Sequence, residues 1–180
     1  WRVRIALNLK GIAPEQAFVH LRKQEQAQPA FRALNPHGLV PVLEHEGARL
    51  TQSLAIVEYL EEIQPEPPLL PKNPLDRAWV RGIALAIACD IHPLDNLRVL
   101  RYLEDPLGID EAGRNRWYAH WVAQGFGPLE AMLAADPRTG RFCFGDTPTL
   151  ADICLIPQMG NAARMKCPLD PYPTLRRIAD

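Results

Sequence analysis

The chain has 180 residues, of which 23% are charged, and its formal net charge is −1 because 21 acidic side chains nearly balance 20 basic ones. Such a balance disfavours a nucleic-acid partner, which normally requires a basic surface. No apolar run approaches the roughly 20 residues that span a bilayer, so we expect no membrane partner either. The length predicts one large globular domain or two small ones.

The cysteines predict neither a disulfide framework nor a metal centre. No two of them form a CxxC pair, and four are too few to staple a fold of this size. They indicate reduced packing thiols in a cytoplasmic protein. The four are Cys89, Cys143, Cys154 and Cys167.

A proline-rich segment, QPEPPLLPKNP at 64–74, divides the chain and holds five of its 18 prolines. Proline lacks a backbone N–H and fixes φ, so neither a helix nor a central strand is expected there. We predict one domain over 1–64, a linker over 65–74 and a second domain over 75–180.

The first half mixes helical and strand patterns. In chain order, the patterns predict a helix over 1–10, a short strand over 18–21, a helix over 29–34, a β-hairpin of 39–44 with 48–51, and a helix over 53–63. The last helix should bury Ile56, Val57, Leu60 and Ile63 along one stripe. We therefore predict an α/β fold for this half.

We predict an all-α fold for the second half. Apolar residues at helical spacing predict long helices over 75–102, 111–135 and 149–163, with kinks at Pro93 and Pro157. Thr149 and Asp152 have the spacing of a capping box at the start of the third helix, which is a structural device.

Two positions in the first half could bind a ligand. Gln52 and Ser53 stand where the hairpin meets the next helix, and unpaired N–H groups at a helix start favour an anion. Taken alone, Ser53 is more simply interpreted as an N-cap. Val40 precedes Pro41 at the hairpin, so its backbone could pair with a peptide-like ligand that places a carboxylate at Ser53.

Two polar groups in the second half could line a site. His92 precedes Pro93, and Asp95, Asn96 and Arg98 follow within two turns, although a lone histidine is often a core or interface residue. Arg164 closes the third helix, where it suits the helix dipole and could also clamp a carboxylate.

Several motifs resemble those of zeta-class glutathione transferases, in order along essentially the whole chain. They are WRVRIAL at 1–7, LNP at 34–36, VPVL at 40–43, QSLAIVEYL at 52–60, DIHPL at 90–94, GDTPTLAD at 145–152 and NAAR at 161–164. The VP and QS elements are typical of glutathione transferases generally, whereas WRVRIAL and IHPLDNLRVL indicate the zeta class. The resemblance implies a thioredoxin-like N-terminal domain followed by an all-helical domain, usually in a homodimer.

The resemblance also implies roles for individual residues. Pro41 is expected to be cis, Val40 to pair with the cysteinyl backbone of glutathione, and Gln52 and Ser53 to hold its γ-glutamyl end. A further set falls near positions that contact glutathione or line the site in relatives: His37, His92, Asp95, Asn96, Arg98 and Arg164. Relatives often have a neutral Gln or Asn at the position of Asp95.

The metabolic members of the zeta class are maleylacetoacetate isomerases and maleylpyruvate isomerases, which use glutathione as a regenerated cofactor. We therefore expect a glutathione-dependent cis–trans isomerase, with maleylacetoacetate the favoured substrate. Arg164, Arg98 and His92 are the catalytic candidates, and Arg2 and Arg4 are weaker ones. The open alternatives are a maleylpyruvate isomerase, a general glutathione transferase and a non-catalytic glutathione-binding scaffold.

The resemblance places further segments outside the sequence shown. A first strand and a serine- and cysteine-containing segment are expected before Trp1, and the last helices are expected after Asp180. The hydroxyl that activates glutathione belongs to the segment before Trp1, so we expect the thioredoxin-like domain of this sequence without its first strand.

Overall fold

The computed structural model describes residues 1–180 and divides into two compact units, Trp1–Leu69 and Leu70–Asp180. The division falls inside the proline-rich segment. The finer boundaries 1–64, 65–74 and 75–180 stay a prediction.

The first unit combines three helices with a β-hairpin. Its elements are α1 (Arg2–Leu9), 3₁₀ turns at Leu21–Lys23 and Glu25–Ala27, α2 (Pro29–Arg32), β1 (Val42–His45), β2 (Ala48–Thr51) and α3 (Ser53–Ile63). The strands pair antiparallel, with Val42 opposite Thr51 and His45 opposite Ala48. The predicted helices and the hairpin are confirmed, although α2 ends two residues early.

The hairpin turn needs left-handed backbone at two successive residues. Glu46 has φ of +49° and Gly47 has φ of +78°, the combination that matches the twist of a tight hairpin. The first strand begins at Val42 rather than at 39 because Pro41 has no N–H to donate to a ladder.

The predicted strand at 18–21 is wrong. Residues 12–20 have no regular structure, and Leu21 begins a 3₁₀ turn. A strand needs a hydrogen-bonded neighbour, and the sheet of this chain contains only β1 and β2. Phe18 is accordingly 86% exposed.

The core of the first unit lies between α1 and α3. Helical spacing places Val3, Ala6 and Leu7 on one face of α1 and Ile56, Val57 and Leu60 on one face of α3, and all six are buried. Ile63 was predicted on the same stripe but is 48% exposed. The buried stripe therefore ends at Leu60, one turn before the helix does.

A buried lysine joins the ends of these two helices. The Lys10 side chain is fully buried, and its Nζ lies 2.6 Å from Glu61 Oε2. The same Nζ donates to the carbonyl oxygens of Gln64 at 2.7 Å and Pro67 at 3.0 Å. Glu61 in turn accepts the backbone N–H of Leu69 at 3.0 Å. Lys10 thus fixes the start of the proline-rich segment onto α1 and α3.

The second unit is all-helical, as predicted. Its elements are α4 (Pro74–Leu85), a π-helical turn (Ala86–Ile91), α5 (Leu97–Glu104), α6 (Glu111–Ala135), α7 (Leu150–Arg164) and α8 (Pro173–Ala179). Helix α7 is the most deeply buried of these and supplies core residues such as Ile153, Leu155 and Met159. No helix combines the length and apolar character that a membrane span requires.

The single helix predicted over 75–102 is wrong, because the chain leaves the helix between α4 and α5. Pro93 cannot donate an intrahelical hydrogen bond, and residues 92–96 form a turn. Asn96 then starts α5 as its N-cap, since its side chain accepts the Arg98 N–H at 3.2 Å. The additional helix α8 was not predicted, although Pro173 at its first position is a typical start signal.

The predicted capping box at the start of α7 is confirmed. Asp152 Oδ2 accepts the Thr149 N–H at 2.7 Å, and Asp152 Oδ1 accepts the Cys143 N–H at 2.8 Å. All four cysteines are free thiols; Cys89 is exposed and the other three are buried. Burial raises the pKa of the Cys143 thiol far above its usual range, so this cysteine acts as an apolar packing group.

Candidate glutathione and substrate sites

The hairpin brings Val40–Pro41 and Gln52–Ser53 to one end of the sheet. Because Val42 pairs with Thr51, the residues just before β1 and just after β2 lie side by side. The Val40–Pro41 peptide bond is cis, as the resemblance implied. Val40 is 41% exposed, and its backbone N–H and C=O lie outside the ladder without a partner in the chain. An extended ligand could therefore pair with them.

The start of α3 provides unpaired N–H groups. Gln52 is the N-cap residue, and no side chain caps the helix. The alternative reading of Ser53 as the N-cap is thus wrong, because Ser53 is the first helical residue. Gln52 also has φ of +68°, a costly conformation for a residue with a side chain and one that often marks a ligand site. The uncapped dipole end favours an anion.

Arg2 adds positive charge at the same place. The first residue of α1 is half-buried, and its Nη1 donates to Ser53 Oγ at 3.4 Å. Arg4, the other weaker candidate on this helix, is exposed. Arg2 and the α3 N-terminus together form a site with the chemistry to bind a carboxylate.

Asn35 shapes the loop that precedes Val40. It is buried, its Nδ2 donates to the Leu39 carbonyl at 2.7 Å, and its Oδ1 accepts the His37 N–H at 3.1 Å. Gly38 is required here, because its φ is +62° and a Cβ would lie 3.1 Å from the Gln26 carbonyl oxygen. The His37 side chain is exposed beside this loop. The sequence suggested only a helix stop at Asn35.

In the second unit, the turn at 92–96 carries His92, Asp95 and Asn96 of the predicted residues, and Arg98 follows in α5. His92 is half-buried, Asn96 uses its side-chain oxygen to cap α5, and Arg98 is exposed in the first turn of that helix. The turn is fastened to α6, since Trp117 Nε1 donates to the Leu94 carbonyl at 2.8 Å.

Arg164 is the last residue of α7 and is exposed. Its Nη2 donates to Asn161 Oδ1 at 3.1 Å, one turn earlier on the same helix. This bond orients the guanidinium and leaves its remaining N–H groups for an external acceptor. The position suits both readings considered for Arg164, because a cation also stabilises the helix C-terminus.

Asp95 is the one buried residue among the predicted site residues of the second unit. Its side chain is buried, and neither carboxyl oxygen has a hydrogen-bond partner. Burial raises the pKa of this carboxyl to about 7. Its neighbours include Tyr118 on α6, whose pKa is raised by burial and then by the Asp95 charge. Sequence reasoning missed Tyr118, because a tyrosine at helical spacing carries no signal beyond core packing.

The first unit thus offers an uncapped helix start beside an exposed, unpaired backbone, and the second offers the exposed guanidinium groups of Arg98 and Arg164. No group of three or more metal-ligating side chains in the chain could hold a metal ion. These features suit an anionic, peptide-like cofactor and an anionic small molecule.

Two family models match the chain, one in each of its two units. Residues 1–68 match the glutathione S-transferase N-terminal domain, and residues 111–177 match the glutathione S-transferase C-terminal domain. The thioredoxin-like domain followed by an all-helical domain is therefore confirmed.

Individual relatives are similar to this chain over nearly its whole length. The chain is 47% identical over 183 residues to the maleylacetoacetate isomerase of Pseudomonas aeruginosa, covering 100% of this chain and 84% of the relative. The structure of a maleylpyruvate isomerase, described as a bacterial zeta-class glutathione S-transferase, matches with a TM-score of 0.97 at 50% identity over 99% of this chain and 84% of its own. A maleylacetoacetate isomerase from Methylobacterium extorquens AM1, with bound malonate and glutathione, matches with a TM-score of 0.95 at 42% identity and the same coverage. The chain therefore belongs to the glutathione S-transferase family, in its zeta class.

Proposed function

We propose that this protein is a glutathione-dependent cis–trans isomerase that converts maleylacetoacetate to fumarylacetoacetate. The observation that carries the proposal is the match to isomerases of the two maleyl acids over essentially the whole chain. We further propose that it works as a homodimer in the cytoplasm, in keeping with its class.

The residues of the first unit fit glutathione. The unpaired backbone of Val40 suits the cysteinyl peptide group, and the uncapped start of α3 suits the γ-glutamyl carboxylate. Arg2, through its contact with Ser53 Oγ, adds a cation at that carboxylate. Gln52 and His37 are proposed as further polar contacts.

Glutathione, when bound, supplies a thiolate that adds reversibly to the maleyl double bond, so that the bond can rotate before the thiolate leaves. The protein's own task is to hold the substrate carboxylate and to stabilise negative charge that develops on the conjugated carbonyl. Arg164 and Arg98 are proposed for this task because a guanidinium binds a carboxylate through two parallel hydrogen bonds. His92 is proposed to donate a hydrogen bond to the carbonyl oxygen. Asn96 keeps its proposed glutathione contact through its side-chain N–H groups, since its oxygen caps α5.

The substrate assignment is tested by comparing kcat/KM for maleylacetoacetate and maleylpyruvate with saturating glutathione. We expect both acids to be isomerised and maleylacetoacetate to be preferred. A preference for maleylpyruvate would reassign the substrate to that closest alternative. Faster conjugation of a halogenated aromatic than isomerisation of either acid would support a general transferase, and no turnover with intact glutathione binding would support a scaffold.

Ser53→Ala tests the glutathione site. We expect glutathione affinity to fall about tenfold, the size of a lost hydrogen bond to a charged group. The free energy of unfolding should change by less than about 0.5 kcal/mol, because Ser53 is not the cap of α3. Calorimetric titration and urea unfolding measure the two effects. Asn8→Ala, a substitution at an exposed position of α1, is the control and should alter neither quantity. A stability loss of about 1 kcal/mol with unchanged affinity would contradict the proposed glutathione contact of Ser53.

A further inference from the structure

The π-helical turn Ala86–Ile91 lies directly before the turn that carries His92. Its last hydrogen bond spans five residues and joins the His92 N–H to the Ile87 carbonyl oxygen at 2.9 Å. Turns of this kind are rare, and they occur frequently at functional sites. The π-helical turn thus fixes the backbone of His92, the residue proposed to donate to the substrate carbonyl.

Helix α6 approaches this turn at a glycine. Gly125 lies in the interior of α6, where glycine disfavours a helix more than any residue except proline. A Cβ placed on Gly125 would overlap the Cγ1 and Cδ1 atoms of Ile91, the last residue of the π-helical turn. The Ile91 side chain therefore occupies the space that any other residue at 125 would need.

Ile91 has little freedom to move away from α6. Its side chain is 0% exposed, and protein interiors are close-packed, so it has no empty space to enter. As a β-branched residue it is also stiff about its first side-chain dihedral. We expect an added methyl group at 125 to displace the Ile91 backbone, and His92 with it, since the two residues are covalent neighbours.

A second contact holds the other side of His92 to the same helix. Trp117 Nε1 donates to the Leu94 carbonyl oxygen at 2.8 Å, and the Leu94 N–H donates to the Ile91 carbonyl oxygen at 3.2 Å. Trp117 and Gly125 are about two turns apart and therefore share one face of α6. His92 thus lies between two residues, Ile91 and Leu94, that this face holds.

We infer that α6 positions His92 for catalysis and that Gly125 is the main positioning residue, because its missing side chain lets Ile91 pack against the helix. This inference rests on the proposed function, in which His92 donates a hydrogen bond to the substrate carbonyl oxygen. Gly125 acts through Ile91 rather than through contact with the substrate. Trp117 assists by holding Leu94.

A double-mutant cycle of Gly125→Ala and His92→Ala tests the inference. The kcat and KM for the maleyl acid are measured with saturating glutathione, and calorimetric titration gives the glutathione affinity. Each single substitution is expected to lower kcat about tenfold, the size of one hydrogen bond, without changing KM or glutathione affinity. Because both substitutions affect the same group, the double variant should also lose only about tenfold.

Two further variants separate the Ile91 contact from a general effect of alanine in a helix. Gly82→Ala is the control, because Gly82 is exposed in α4 and a Cβ there would meet no atom within 4 Å. Its kcat should equal that of wild type. Adding Ile91→Ala to Gly125→Ala removes the overlapping atoms and leaves the two Cβ atoms 3.6 Å apart, an ordinary contact. This pair should have a higher kcat than Gly125→Ala alone, and an equal or lower kcat would overturn the route through Ile91.

Losses that multiply in the cycle, to about hundredfold in kcat, would overturn the inference, because Gly125 would then act on something other than His92. An unchanged kcat in either single variant would overturn it as well. Both outcomes leave wild-type isomerisation, and so the proposed function, intact. Absence of wild-type turnover would instead overturn the proposed function and this inference with it.

Trp117→Phe decides the matter if Gly125→Ala does not fold. Phenylalanine keeps an aromatic ring on α6 but cannot donate to the Leu94 carbonyl oxygen. We expect kcat to fall by up to about tenfold in the otherwise wild-type protein, and not to fall further in the His92→Ala background. An unchanged kcat, or an equal loss in both backgrounds, would overturn the inference.

Discussion

Arg164→Ala is expected to lower kcat/KM for the maleyl acid about hundredfold while glutathione affinity stays within about twofold. The physical reason is that the guanidinium is proposed to hold the substrate carboxylate and to stabilise the negative charge that develops on the conjugated carbonyl. Loss of one such donor typically costs a factor of 10²–10³ in rate. Steady-state kinetics and glutathione titration measure the two quantities separately.

Arg176→Ala is a matched control, because Arg176 is also an exposed arginine of the second unit and pairs with Asp170 at 2.8 Å. It should leave kcat/KM unchanged. Equal losses of turnover and glutathione affinity in Arg164→Ala, together with a lower unfolding free energy, would show that Arg164 only stabilises the end of α7.

Lys10→Met is expected to lower the free energy of unfolding by about 3 kcal/mol. The methionine keeps the apolar stem, but Glu61 loses its cation at 2.6 Å and the Gln64 and Pro67 carbonyls lose a donor. Removal of one partner of a buried ion pair leaves an uncompensated buried charge, which is strongly destabilising. Urea unfolding followed by circular dichroism measures the loss.

Arg49→Met is the control for this prediction, since it breaks an ion pair in the same unit whose members are 52% and 60% exposed. Exposed pairs contribute little, so the change should be under about 0.5 kcal/mol. Similar effects of the two substitutions would contradict the special role given to Lys10.

Much of the fold could be predicted because local signals and packing agree. In α3, the apolar spacing of Ile56, Val57 and Leu60 is also the face that packs on α1, so pattern and structure coincide. The Thr149–Asp152 capping box and the cis Val40–Pro41 bond were similarly foreseeable, the first from local chemistry and the second from the family's motif.

The failures occur where the deciding interaction is not local. The apolar run at 18–21 has strand character but no neighbouring strand in the chain, so it stays irregular. Pro93 was expected to kink a continuous helix, yet Asn96 caps a new helix and completes the break. Lys10 looks like an ordinary surface lysine in the sequence, and only its contacts with residues more than 50 positions away make it buried.

Part of the candidate site could likewise be predicted from the sequence, and part could not. Motifs marked Val40, Gln52, Ser53 and Arg164, whereas the contact between Arg2 and Ser53 appears only in the structure. Asp95 was marked by its place in a motif, but its burial beside Tyr118 depends on how α6 packs on the turn at 92–96. Periodicity alone carries no information about such a contact.

The central claim, a glutathione-dependent isomerase, is tested most directly by following maleylacetoacetate and glutathione together by proton NMR. We expect maleylacetoacetate to become fumarylacetoacetate only when glutathione is present, with the glutathione concentration the same at the end as at the start. Consumption of one glutathione per substrate would contradict the claim, because it would mean conjugation instead of isomerisation.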